Sequence, residues 1–235
     1  MRRFRPDPGA PVPPDDVWPA TVPAVAQLLR EGLELAPGAT VLVGENGSGK
    51  STVLEVLAAA LGLNAEGGSA GTRHETRRSE PGSLDLIVER SPGADRWAYF
   101  LRDETMHGLY SYLEENPPSP RGDEPLFHEL SHGEAFLALL GRRATSGGLY
   151  LLDEPDAALS FTGTLSLVIQ VAGLVERGAQ VVVATHSPVL AALPGAHLLE
   201  VGEWGLREAT WADLELTASW RQFLLEPQSF LRLLT

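Results

Sequence analysis

Three stretches of the chain share one form, an apolar run that stops abruptly at polar residues: ATVLVG (39–44), GLYLLDEP (148–155) and AQVVVATHSP (179–188). Runs of this length, rich in Val and Leu, predict strands buried on both faces. STVLEVLAAALG (51–62) and LSFTGTLSLVIQVAGLVERG (159–178) have helical length and lie between them. LDLIVER (84–90) and RWAYFLR (96–102) predict two more strands joined by the turn SPGAD. GLYSYLEE (108–115) predicts a short helix before a proline-rich loop at 116–125. This alternation predicts an α/β fold with a mostly parallel central sheet, a small antiparallel β part and helices on both faces. Ligands of such sheets bind beyond the carboxyl ends of the strands, where these polar residues fall. Residues 1–20, continuing to about 23, are Pro-rich and predict an extended segment that wraps the domain or frays. We find no internal repeat and no heptad run.

Composition narrows the picture. A chain of 235 residues, 43% hydrophobic, suits one domain with a sizeable core. Cys is absent, so disulfides and thiolate metal sites are excluded, and the six His lack metal-ligand spacing. The first residues carry positive charge, but Pro and Asp stand where a signal peptide needs an apolar core. No stretch is apolar over membrane-spanning length, and a cytoplasmic location with no membrane insertion is expected. The net charge of −13 has the wrong sign for a nucleic-acid coat. One local basic run, Arg73, His74, Arg77 and Arg78, sits in a stretch with the composition of a solvated connector.

GENGSGKS, residues 44–51, matches G-x-x-x-x-G-K-[ST] between a predicted strand and a predicted helix. Gly44, Gly47 and Gly49 let the backbone turn so that N–H groups, with those of Glu45, Asn46, Ser48 and Thr52 alongside, face a polyphosphate. The helix start adds its dipole, Lys50 neutralises the outer phosphates, and Ser51 offers a hydroxyl to Mg²⁺. Asp153 and Glu154 end the second apolar run before Pro155. There, Asp153 can hold Mg²⁺ and Glu154 can orient or deprotonate an attacking water. His186 follows the third run, within reach of a γ-phosphate. The expected cofactors are a nucleoside triphosphate, ATP or GTP, and Mg²⁺.

These motifs, in this order, resemble the ATP-binding-cassette superfamily of ATPases. LSHGE (130–134) looks like its signature motif, 22 residues before Asp153, with His186 lying 32 residues after Glu154. The resemblance implies that Ser131, Gly133 and Glu134 act on a partner protomer's nucleotide, in an ATP-dependent homodimer. It also implies that AALS (157–160) crosses the dimer interface and that His186 is a switch histidine. From about Trp18 onward the chain resembles small bacterial stand-alone predicted ATPases of the cassette type. A single cassette domain over 1–235 follows, with a reduced helical signature lobe at about 105–147 and a C-terminal packing segment at about 203–235.

One departure stands out. Cassette ATPases usually carry a Gln at the strand end where this chain has Arg102, Asp103 and Glu104. Glu104 is a candidate replacement as a Mg²⁺ ligand, since a carboxylate binds the ion as well as an amide does, the alternative being a salt-bridged strand end. The 27 residues from Glu104 to Ser131 leave little room for a permease-receiving lobe or a coiled-coil arm. Trp18 lies where an aromatic could stack on a base, but it is expected to be a packing anchor, while Trp204, Trp211, Trp220, Phe223 and Phe230 are expected to pack helices onto the body. The reading is a Mg-dependent ATPase cycling between open and closed dimers. Three alternatives remain: a nucleic-acid motor using Arg73, Arg77 and Arg78, the ATP-binding subunit of a transporter, and a non-catalytic ATP sensor.

Overall fold

Alternating burial begins at the N-terminus, where Arg2–Pro6 forms strand β1 with Arg2 and Phe4 inward and Arg3 and Arg5 outward. The computed structural model describes residues 2–11, 13–64, 67–69, 86–115, 126–144 and 147–232. The basic run at 73–78 and the proline-rich loop lie outside the described residues.

After β1, helix α1 (Pro23–Glu31) starts with Pro at its first position, where the missing N–H costs nothing. Strand β2 (Leu33–Leu35) and strand β3 (Ala39–Val43) follow, then helix α2 (Lys50–Ala60). Strands β4 (Gly68–Ser69), β5 (Leu86–Arg90) and β6 (Ala98–Arg102) lead to helices α3 (Met106–Glu115) and α4 (His132–Arg143). Strand β7 (Gly148–Asp153), helix α5 (Phe161–Glu176) and strand β8 (Ala179–Thr185) come next. Strands β9 (His197–Gly202) and β10 (Gly205–Ala209) precede helices α6 (Glu215–Leu225) and α7 (Pro227–Leu231).

The strands form a seven-stranded sheet, β10-β9-β3-β8-β7-β6-β4, and a three-stranded sheet, β2-β1-β5. In the larger sheet the five inner strands run parallel, with β10 and β4 antiparallel at the edges. The smaller sheet is antiparallel throughout. The α/β architecture with a mostly parallel sheet and an antiparallel part is therefore present. The period-2 geometry of a strand explains the unbroken apolar runs. Tyr150 and Leu152 of β7 join a core with Val41, Val181, Val183 and residues of α3, α4 and α5. Leu149 and Leu151 point the other way, into a core with Leu42, Val182, Phe4 and residues of α1 and α2.

Two expectations need revision. The Pro-rich segment does not merely wrap or fray, because β1 is the central strand of the small sheet and Phe4 is fully buried. Arg2 is buried as well, donating from Nη1 to Gln180 Oε1 at 3.1 Å and from Nη2 to the Asp95 carbonyl at 2.5 Å. The turn SPGAD joins two strands as expected, and they lie in different sheets, since β5 pairs with β1 and β6 with β7. At the C-terminus, Leu214, Leu216 and Thr217 meet the body, while Trp220, Phe223, Leu224 and Leu225 are exposed and Phe223 packs edge-on against Phe230 of α7.

Phe4→Ala is expected to cost about 3–5 kcal/mol, the usual toll of emptying a buried aromatic site. Arg3→Ala, on the outer face of the same strand, should cost under about 0.5 kcal/mol. Equilibrium urea unfolding of the two variants checks this, and equal small losses would mean that β1 does not build the core.

Candidate functional site

The phosphate loop leaves the end of β3 and turns at Glu45, whose carbonyl accepts from the Ser48 N–H at 3.2 Å. Gly49 caps α2 with φ of 99°, a left-handed conformation that favours glycine. Any Cβ there would lie 2.3 Å from Val22 Cγ1, so the residue ahead of α1 seals one side of the loop. The first N–H groups of α2 have no side-chain cap and are open to an anion. Lys50 is 3% exposed, and its ammonium donates to the carbonyls of Gly44 at 2.9 Å and Glu45 at 2.8 Å. Burial lowers its pKa, while Glu154 and Asp153 act the other way.

Opposite the loop, the strand ends supply acid. Asp153, the last residue of β7, is 3% exposed, and its Oδ1 accepts from Ser51 Oγ at 2.9 Å. Burial pushes its pKa up to about 6, against the pull of the Ser51 hydrogen bond and Arg102, with Glu154 and Glu55 adding to the rise. Glu154 is the one non-glycine residue with positive φ among the described residues, at 46°. Such backbone costs about 1–3 kcal/mol and persists where the surroundings impose it. Here the Glu154 N–H is held by the Ala184 carbonyl at 2.9 Å, and Pro155 follows at once. Glu154 Oε1 lies 3.5 Å from His186 Nδ1. The turn carrying His186 is fixed by Thr185, whose Oγ1 donates to Asp156 Oδ1 and accepts from the Ser187 N–H, both at 2.9 Å.

A cleft of about 370 Å³ gathers Asn46, Gly47, Gly49, Lys50, Ser51 and Thr52 on one side. Arg102, Asp103, Glu104, Asp153 and Glu154 line the other. Among the described residues, no three acidic or histidine side chains converge on a ready-made metal cage. A buried Asp153 carboxylate joined to a hydroxyl nevertheless suits Mg²⁺, which keeps several waters and takes its remaining oxygens from phosphates. Glu104 lines the cleft, but its side chain is 78% exposed and its Oε2 is held by Arg102 Nη2 at 2.9 Å.

Ser131, Gly133 and Glu134 occupy the start of α4, outside the described lining of that cleft. Ser131 and Glu134 form a capping box: Ser131 Oγ accepts from the Glu134 N–H at 3.4 Å, and Glu134 Oε2 accepts from the Ser131 N–H at 3.1 Å. The Ser131 hydroxyl also donates to Glu134 Oε2 at 2.5 Å, and this bond, followed by the one from the Ser131 N–H, lowers the pKa of Glu134. At Gly133 a Cβ would lie 2.7 Å from Leu159 Cδ2 and 2.9 Å from the Ala158 carbonyl, so only glycine lets the 157–160 loop approach. The neighbouring His132 places Nε2 2.9 Å from Asp103 Oδ1, which ties α4 to the rim of the cleft.

A second cleft, of about 640 Å³, shares Asn46 and Gly47 with the first. It runs from Gly44–Ser48 to Trp204 and Trp220, with Glu203 and Ser219 on its walls. Trp204 is covered on one face by Arg207, 3.7 Å above its ring. Trp18, 47% exposed, lines neither cleft.

Comparison with known proteins shows the family. Residues 28–91 match the family model described as "AAA domain", and residues 130–192 the one described as "AAA domain, putative AbiEii toxin, Type IV TA system". The cytochrome c biogenesis ATP-binding export protein CcmA of Rhizobium meliloti is 31% identical over 182 residues, 71% of this chain and 86% of that protein. The chain belongs to the ATP-binding-cassette family of P-loop ATPases. A Streptomyces coelicolor protein named "Putative ABC transporter ATP-binding protein" is 34% identical over 187 residues, 72% of this chain but 32%, about a third, of the relative. Among solved structures, cbiO1 of Clostridium perfringens is 17% identical, covering 84% of this chain and 88% of its own, with a TM-score of 0.45. No helix among the described residues of this cassette ATPase is long and apolar enough to cross a membrane.

Two features of the cassette site escaped the sequence. The carboxylates around Arg102 come from α2, β7 and the residues after β6, and the register of β6 beside β7 together with the packing of α2 brings them together. The Trp204–Trp220 wall joins a strand turn to a helix through tertiary packing alone.

Because Asp153 holds its proton to a higher pH folded than unfolded, its contribution to stability falls as pH rises from about 4 to about 6 and stays low above. Asp153→Asn keeps an acceptor for Ser51 and removes that loss. In metal-free buffer at pH 7 the variant should therefore be more stable than the parent by roughly 2–3 kcal/mol, with the advantage vanishing near pH 4. Urea unfolding against pH reads the difference, and equal stability at pH 7 would refute the assigned burial effect.

Proposed function

We propose that this cassette ATPase binds Mg-ATP between two head-to-tail protomers and hydrolyses it, closing the dimer on ATP and opening it after hydrolysis. The observation that carries the reading is the division of the motifs into two places. Lys50, Ser51, Asp153 and Glu154 share one cleft, while Ser131 and Glu134 are exposed at the head of a helix outside its described lining. A head-to-tail pair brings the second set over the first.

Mg²⁺ would be held by Ser51 and Asp153 and would offset phosphate charge when bound. The γ-phosphate enters among the N–H groups at the start of α2, where the Lys50 ammonium can exchange its carbonyl partners for phosphate oxygens. Glu154 accepts a proton from water as its oxygen attacks the γ-phosphorus, and the β–γ bridging oxygen leaves with ADP. His186, beside Glu154, orients the same water or contacts the γ-phosphate. The partner's Ser131 hydroxyl and the N-terminal amides of α4 complete the phosphate cage. The nucleoside end is assigned to the cleft walled by Trp204 and Trp220, because Asn46 and Gly47 border both spaces.

Glu154→Gln should abolish turnover yet retain ATP and accumulate a dimer in size-exclusion light scattering, whereas Lys50→Ala should lose nucleotide binding. Unaltered turnover in either would remove the assignment. For the parent, ATP hydrolysis per monomer should rise with protein concentration and saturate. Trp220→Ala is expected to weaken ATP binding about tenfold while leaving inorganic tripolyphosphate binding unchanged, as loss of base stacking requires. Equal weakening of both probes would move the base elsewhere.

A further inference from the structure

Arg102 ends β6 directly beside Asp153 at the end of β7, the two being register partners in the parallel sheet. Its guanidinium is 2.6 Å from Glu55 Oε1 through Nη1 and 2.9 Å from Glu104 Oε2 through Nη2. The third nitrogen, Nε, faces Asp153 Oδ2 at 3.6 Å, beyond hydrogen-bonding distance, and is buried without another partner. One positive charge thus stands among three carboxylates, firmly bonded to two and loosely placed against the third. The loosely held one is Asp153, the carboxylate that also meets Ser51.

Resting on the Mg-ATP reading, we propose that Arg102 is a resident cation that balances Asp153 while the metal site is empty and yields it when a divalent cation binds. A buried carboxylate needs a counter-charge, and a P-loop site must also release that counter-charge to admit metal. The split contacts meet both demands. Glu55 and Glu104 anchor the guanidinium, so Asp153 can be given up without leaving Arg102 unpaired. Glu104 is thereby an anchor for Arg102. Arg102 is a positioning residue on this view, and it competes with the metal for one carboxylate.

The test is Mn²⁺ binding, read by the electron paramagnetic resonance signal of the free ion, to the full chain loaded with a non-hydrolysable ATP analogue. Arg102→Gln removes the competing charge and is expected to tighten Mn²⁺ binding by about tenfold, while Arg102→Lys stays near the parent. Unchanged or weaker Mn²⁺ binding in a folded Arg102→Gln would overturn the proposal, since a purely structural arginine gives that result. Should that variant not fold, Glu55→Gln serves. It frees the guanidinium to commit to Asp153, so Mn²⁺ binding should weaken at least threefold, and unchanged affinity would count against Arg102. Failure of the parent to bind the ATP analogue at all would instead remove the Mg-ATP reading on which this rests.

Discussion

Everything at the candidate site depends on the parallel register of β3, β8, β7 and β6. Pairing sets Val43 level with Thr185, Asp153 level with Ala184, and Arg102 level with Asp153. Four chain segments therefore leave the sheet along one edge within two residues of one another. The phosphate loop, the acidic pair, the histidine turn and the Arg102 segment are consequences of that edge. Slipping one strand by a single residue would exchange its two faces, sending Leu152 and Tyr150 into the core now filled by Leu149 and Leu151. Packing on both faces therefore fixes the chemistry at the edge.

The edge is held at a cost. Asp153 is buried with its charged form disfavoured, Glu154 sits in a backbone conformation that its side chain resists, and Lys50 is buried on two carbonyls. None of these arrangements stabilises the fold as an apolar residue in the same place would. The two hydrophobic layers make the surplus that keeps them in place, with leucines, valines and aromatics at near-zero exposure above and below the sheet. Local strain beside a well-packed scaffold is the expected signature of a site built for binding and chemistry.

Much of this was legible in the chain, for identifiable reasons. The phosphate loop and the acidic strand end are local patterns, each carried by consecutive residues whose spacing alone determines their geometry. Ser131 and Glu134 were singled out through a resemblance, and the capping box they form spans one helical turn. β1 was not, because it has only two inward positions and one of them is Arg2, whose burial depends on Gln180 and the Asp95 carbonyl far along the chain. Trp220 and its neighbours carry the composition of a packing segment, yet a helix near a chain end packs only as far as the body offers it a surface. The body offers one to Leu214 and Leu216 and none to Leu224 and Leu225.

The missing glutamine at the end of β6 has a physical counterpart rather than a gap. In this chain the segment after β6 reaches in both directions: Arg102 toward Asp153 in the cleft, and Asp103 toward His132 on α4. His132 is also one residue from Gly133, whose lack of a side chain admits the Ala158 carbonyl. The first turn of α4 is therefore flanked on one side by the His132–Asp103 contact at the cleft rim and on the other by the loop that follows Glu154. Both supports are anchored in strands that end at the phosphate site. The position of Ser131 at the start of α4 is therefore set by the ends of β6 and β7 together.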